Sequence, residues 1–127
     1  MPIDQTKEFL PLNIAILTLS DSRTIETDIS GQVLVDKLLE AGHNLADRAI
    51  IKDERDDLRA QLKKWIADDG IQVIISTGGT GLTGRDITPE IFHELYEKEI
   101  EGFGEIFRHI SFKLIGTSTL QSRATGG

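Results

Sequence analysis

Apolar residues run from Leu12 to Leu19 with only Asn13 and Thr18 between them, and a run of that kind predicts a strand covered on both faces, as in a parallel sheet. Val33, Leu34, Leu38 and Leu39 then recur at helical spacing, after Asp28 or Ser30 as a cap and before Gly42 as a stop. Leu45 to Ile51 reads as a second strand. Asp47 and Arg48 interrupt it, which places it toward a sheet edge. A second helix is expected to start around Asp53, Glu54, Asp56 and Asp57, with Leu58, Leu62, Trp65 and Ile66 on one face and an end before Gly70. Val73 to Ser76 is a short third strand. Pro89 to Leu95 and Phe103 to Leu114 read as further helices, with Gly102 and Gly104 at the break between them. Trp65 and the phenylalanines are expected in the core.

Alternation of strands and helices predicts an α/β fold, a three-layer, doubly wound, mostly parallel sheet with right-handed crossovers. All three strand carboxyl ends then share one edge, and ligands bind in the crevice outside that edge. Ser20 and Asp21 leave the first strand there, Asp53 follows the second, and a glycine-rich loop ending in Asp86 follows the third.

That loop, Ser76-Thr77-Gly78-Gly79-Thr80-Gly81-Leu82-Thr83-Gly84-Arg85-Asp86, runs into Thr88 as an expected N-cap, Pro89 as a first-turn proline and Glu90 as an early acid. Gly79, Gly81 and Gly84 satisfy G-x-G-x-x-G, but a dinucleotide fold would begin its helix inside the motif. Gly79 and Gly84 also have P-loop spacing. Arg85 and Asp86, however, stand where that motif needs lysine and a magnesium-binding hydroxyl. A carboxylate there would repel a polyphosphate unless a cation intervened.

Composition narrows the classes of function. The 127 residues suit one domain, and 39% apolar with 28% charged residues describes an ordinary folded chain. A net charge of -7 argues against sequence-independent binding of nucleic acid, and any anion site must be made locally attractive by amides, an arginine or a divalent ion. With no cysteine there is no disulfide, thiolate ligand or thiol nucleophile, which fits a cytoplasmic location. No apolar run approaches the ~18 residues of a membrane span, and no targeting signal precedes Leu12. His43, His93 and His109 lack partners at metal-ligand spacing.

Several motifs in order make the chain resemble the MoaB/Mog family of molybdenum cofactor biosynthesis proteins, related to the G domain of gephyrin, with MoaB as the nearest branch. They are Thr18-Leu19-Ser20-Asp21, Asp28-x-Ser30-Gly31, Ser76 to Gly81, Asp86-x-Thr88-Pro89-Glu90, Gly102-Phe103-Gly104-Glu105, and Gly116-Thr117-Ser118 through Ser122-Arg123-Ala124. The resemblance covers the chain from Leu12 onward. It implies a molybdopterin-binding α/β domain whose active members use magnesium and ATP to attach AMP to the terminal phosphate of molybdopterin. By position in the motifs, Asp53 and Asp86 match the family's two essential carboxylates and would be both catalytic and metal-holding. Gly78, Gly79, Thr80 and Gly81 would hold the pterin or its phosphate, and Ser20, Asp21, Ser122 and Arg123 would complete the pocket. Arg85 would add positive charge.

The same resemblance implies a homo-oligomer, a trimer or hexamer, and a molybdenum-insertion partner downstream. It also implies a further strand and closing helix after the residues present here. Two activities stay open on these residues: an adenylyltransferase, or a non-catalytic molybdopterin carrier. Simpler structural roles compete for each residue. Asp86 could accept bonds from its own loop, Asp53 could serve a helix first turn, and Ser20 with Asp21 could form a turn.

Overall fold

The computed structural model describes residues 1–127. Strands β1 (Asn13–Leu19), β2 (Asn44–Ile51) and β3 (Val73–Thr77) alternate with helices α1 (Ile29–Glu40) and α2 (Arg55–Ile66), and α3 (Thr88–Leu95) and α4 (Glu101–Ile115) follow. A 3-10 segment over Gly116–Gln121 completes the regular structure. The sheet is parallel in the order β2-β1-β3, so β2 is indeed an edge strand.

Strand β1 is central, and its alternation divides the core. Ala15, Leu17 and Leu19 point to one face, against Leu58, Leu62 and Trp65 of α2 and Ile91 of α3. Ile14 and Ile16 point to the other, against Val35 and Leu38 of α1. This is the three-layer arrangement expected for strands joined by right-handed crossovers when the chain steps from β1 to β2 and then back past β1 to β3.

The charged pair in β2 has a structural reason. The Trp65 indole N–H donates to Asp47 Oδ2 at 2.9 Å, so the largest core side chain keeps a partner for its one polar atom. Arg48 reaches the other face, where its Nη2 lies 3.2 Å from Asp28 Oδ2 and its Nη1 donates to Gln32. Asp28, rather than Ser30, caps α1: its Oδ1 accepts from the Gly31 amide at 3.0 Å and its Oδ2 from the Thr18 hydroxyl at 2.7 Å. A register shift between Ile14 and Ala15 passes over Ala46 and brings Asp47 and Arg48 into these positions.

Several expected details differ. Val33, Leu39 and Ile66 are exposed, and the buried stripes are Gly31, Val35 and Leu38 in α1 and Leu58, Leu62 and Trp65 in α2. Phe9, Phe103, Phe107 and Phe112 are exposed rather than core, and with Ile106, Ile110 and Leu114 they give α4 an apolar surface. Gly102 and Gly104 lie inside α4, and the break spans residues 96–100. Gly104 is buried where a Cβ would stand 2.7 Å from the Ala124 carbonyl and from Arg108, so it marks a close approach of chain rather than a stop. Thr88 is the first residue of α3, not its cap, and Asp53 lies ahead of α2, whose flanking residue is Glu54.

Burial alone would raise the Asp28 pKa, but the Gly31 amide, the Thr18 hydroxyl and Arg48 together hold it below 3.8. A depressed carboxylate contributes stability that is present above its unfolded pKa and lost as pH falls through the folded one. Because Asp28 and Arg48 side chains are only 2% and 12% exposed, Arg48→Met strands a buried charge. It is expected to cost about 3 kcal/mol at pH 7, with the deficit shrinking below pH ~4. Urea unfolding of both proteins across that range checks this; an unchanged midpoint at pH 7 would count against it.

Candidate functional site

Strands β1 and β3 are neighbours whose helices leave to opposite faces, and their carboxyl ends open a crevice at that point. The glycine loop crosses it. Gly78 and Gly79 have φ of 100° and 68°, a region that favours glycine. Side chains are excluded for spatial reasons too: a Cβ on Gly78 would collide with the Leu19 carbonyl, and one on Gly79 with Thr88 Oγ1. The loop can therefore lie directly against the end of β1.

Two clefts flank the loop. One, of about 210 Å³, lies toward α1 and is lined by Thr18, Ser20, Arg23, Ser30, Thr77 and Gly78. The other, of about 430 Å³, lies toward α2 and is lined by Asp53, Glu54, Arg55, Gly84, Arg85 and Ile87. Of the expected site residues, Ser20 and Gly78 line the first and Asp53 and Arg85 the second, whereas Asp21, Gly79, Thr80, Gly81 and Asp86 line neither. Thr18, Arg23, Ser30 and Thr77 were not named as site residues from the sequence. Three of them sit in the quoted motifs at strand ends or at the α1 start, and that was the available signal.

Asp21 joins the two sides. Its Oδ1 accepts from the Asp53 amide at 3.2 Å, and its Oδ2 accepts from Arg85 Nη2 at 2.8 Å. Arg85 also approaches Glu54 at 3.6 Å, so this cation spans from the glycine loop to the segments after β1 and β2. The Arg85 bond, with the Asp53 amide second, keeps the Asp21 pKa low. Ser20 forms the expected turn, its Oγ accepting from the Ser22 and Arg23 amides.

The two carboxylates singled out from the sequence differ in environment. Asp86 Oδ2 accepts from both the amide and hydroxyl of Thr83, at 2.9 and 2.7 Å, and these bonds lower its pKa. Asp53 has its pKa raised, first by burial and then by the charge of Asp21, with Asp86 and Glu54 adding to the push and Arg85 opposing it. Its Oδ1 is buried and accepts no hydrogen bond, and it faces Gly79, whose Cβ would stand 2.9 Å away. An ionised oxygen held dry among like charges is stable only if a cation or donor joins it.

Ser122 and Arg123 are elsewhere. They line a third cleft of about 440 Å³ with Pro89, Glu90, His93 and Arg108. The Arg123 guanidinium is spent on protein, with Nε donating to the Gly81 carbonyl and Nη2 to the Asp86 carbonyl, both at 2.7 Å, and Nη1 on Glu90. The Ser122 carbonyl accepts from Arg108.

Comparisons with known proteins agree on the family. Residues 15–127 match the family model described as a probable molybdopterin binding domain. The chain is 55% identical over 120 residues to the molybdenum cofactor biosynthesis protein B of Escherichia coli, covering 94% of this chain and 71% of that protein. A crystal structure of a molybdenum cofactor biosynthesis protein B superposes with a TM-score of 0.91 at 42% identity, covering 95% of this chain and 76% of the other. The tungsten cofactor synthesizing protein MoaB from Pyrococcus furiosus follows with a TM-score of 0.81 at 32% identity, covering 92% and 72%. With matched residues spanning nearly the whole chain and the glycine loop seated at the end of its central strand, this chain belongs to the molybdopterin-binding domain family, alongside the molybdenum cofactor biosynthesis B proteins.

Proposed function

We propose that this chain acts in molybdenum cofactor biosynthesis by binding molybdopterin at the glycine loop and, with Mg-ATP, transferring AMP to its terminal phosphate. The observation that carries the catalytic part is the dry, unpartnered Asp53 Oδ1 beside the loop. No three acidic or histidine side chains converge to enclose an ion by themselves. That fits magnesium, a hard ion that takes one or two carboxylates and fills its remaining positions with waters and substrate phosphates. Asp53 and Asp86 would hold it, and when bound it would offset charge on the phosphates.

In the proposed step an oxygen of the molybdopterin phosphate attacks the α-phosphorus of ATP. The bond from that phosphorus to the β-phosphate oxygen breaks, and pyrophosphate leaves with its electron pair. A phosphate nucleophile is already ionised at neutral pH, so no general base is required. The chain's tasks are to align two anions and to stabilise charge. Backbone amides of the loop that begins at Gly78 would receive the pterin phosphate, and Arg85, released from Asp21 and Glu54, would meet the nucleotide phosphates. One observation favours the second reading, a carrier without chemistry: Asp86 Oδ2 and Arg85 are already engaged within the protein.

An assay separates the two. Wild-type protein with molybdopterin and Mg-ATP should yield adenylylated pterin and pyrophosphate, and Asp86→Asn, which can still accept from Thr83, should lower turnover about 100-fold while retaining the pterin. Pterin binding without turnover by wild type would establish the carrier, and equal turnover by both proteins would leave Asp86 as a brace of its loop. A family-typical trimer or hexamer, and handover of product to a molybdenum-inserting partner, belong to the same proposal.

The charge environment of Asp53 makes a separate prediction. A carboxylate whose folded pKa is raised favours the fold only while protonated, so its ionisation is unfavourable at pH 7 and neutral below its unfolded pKa. Asp53→Asn should therefore melt higher than wild type at pH 7 without magnesium, with the gap closing as pH falls toward 3.8. Added magnesium should raise the wild-type melting temperature and not that of the variant; equal magnesium responses would remove Asp53 from the metal site.

A further inference from the structure

Four consecutive carbonyls of the glycine loop accept hydrogen bonds from two residues outside it. The Gly78 carbonyl accepts from the Thr88 hydroxyl at 2.8 Å and the Gly79 carbonyl from the Thr88 amide at 3.1 Å. The Thr80 carbonyl accepts from the Arg123 amide at 3.2 Å and the Gly81 carbonyl from Arg123 Nε at 2.7 Å. In a planar trans peptide the N–H of the next residue points opposite to the carbonyl. The amides of Gly79, Thr80 and Leu82 are thereby aimed away from Thr88 and Arg123, as a set of donors. The Gly81 amide instead meets the Asp86 carboxylate and helps to hold its pKa down.

Arg123 also bridges the far end of the loop, since its Nη2 donates to the Asp86 carbonyl at 2.7 Å while Nη1 is held by Glu90 in the first turn of α3. All three guanidinium nitrogens are used, in three directions. The tail that carries it is itself fixed: Arg108 donates to the Ser122 and Ala124 carbonyls, and the Ile100 amide donates to the Gly126 carbonyl at 2.7 Å. We infer that Arg123, anchored by Glu90, is a positioning residue that orients the amide row of the glycine loop for phosphate, rather than a group that touches the ligand. The inference rests on the proposed reading that the loop receives the molybdopterin phosphate. Its structural half, the clamp, stands on the ligand-free protein alone.

Lysine distinguishes the two roles. A point charge that met phosphate would survive Arg123→Lys, but one ammonium on a flexible stem cannot reproduce a planar fork that donates to Gly81, Asp86 and Glu90 together. Amide exchange of the ligand-free, full-length protein should show Thr83, Asp86 and Thr88 exchanging about tenfold faster in both Arg123→Lys and Arg123→Ala, with the β1 amides unchanged. Molybdopterin affinity should fall about tenfold in both variants. Unchanged loop exchange, or a lysine variant that binds molybdopterin as wild type does, would overturn the inference. If both substitutions also loosen β1, Glu90→Ala decides: it removes only the anchor, and selective acceleration of the loop amides supports the clamp while none refutes it. Failure of wild type to bind molybdopterin would sink the functional reading and leave the exchange result to judge the clamp.

Discussion

Burial of β1 on both faces is the constraint on which the rest of this structure depends. Ala15, Ile16 and Leu17 are fully enclosed, and period-two geometry sends neighbouring residues to opposite layers. α1 must cover one face, and α2 with α3 the other. Right-handed crossovers then permit only a chain that steps to β2 and returns to β3 on the far side of β1. The crevice at the β1 and β3 ends follows from that path, as does the polar turn in character at Thr18. Its hydroxyl faces the α1 layer and meets the cap, Asp28, in a buried network with Arg48.

The crevice is acidic in formal charge, yet the proposed function asks it to receive anions. Asp21 and Asp86 have their charge satisfied by Arg85 and Thr83, whereas Asp53 keeps a dry oxygen without a donor. Positive character comes from loop amides aligned by Thr88 and Arg123, and from Arg85 at the rim. In the proposed reading, separating these roles would let a net-negative protein handle phosphates. Fixed dipoles act at short range, whereas the more distant surface charges are screened by salt.

Much of this was legible in the chain. Strand and helix order, the burial of the first apolar run on both faces and the placing of Ser20, Asp21, Asp53 and Asp86 after strand ends followed from periodicity and topology. The helix stripes were read less well at their margins. Val33, Leu39 and Ile66 have the right spacing but fall at the rim of a narrow contact with a three-stranded sheet. Gly102 and Gly104 looked like a helix break because glycine weakens helices; at Gly104 the close passage of Arg108 and Ala124 outweighs that propensity. The phenylalanines of α4 are apolar enough for a core and still lie outside it, since α4 packs beside the layers rather than between them.

Local pattern thus decided which segments become strands, where glycines must sit and which carboxylates reach the strand ends, because those outcomes depend on nearest neighbours and on chirality. Partnership was decided by the tertiary structure. Arg123 stands 37 residues from Asp86 in sequence and donates to its carbonyl; Asp47 and Trp65 meet across 18 residues. Whether an arginine faces a ligand or the protein's own carbonyls, and whether a carboxylate is bonded or left dry, depends on which distant groups arrive within hydrogen-bond range. Packing of the layers sets that distance, and no spacing along the chain encodes it.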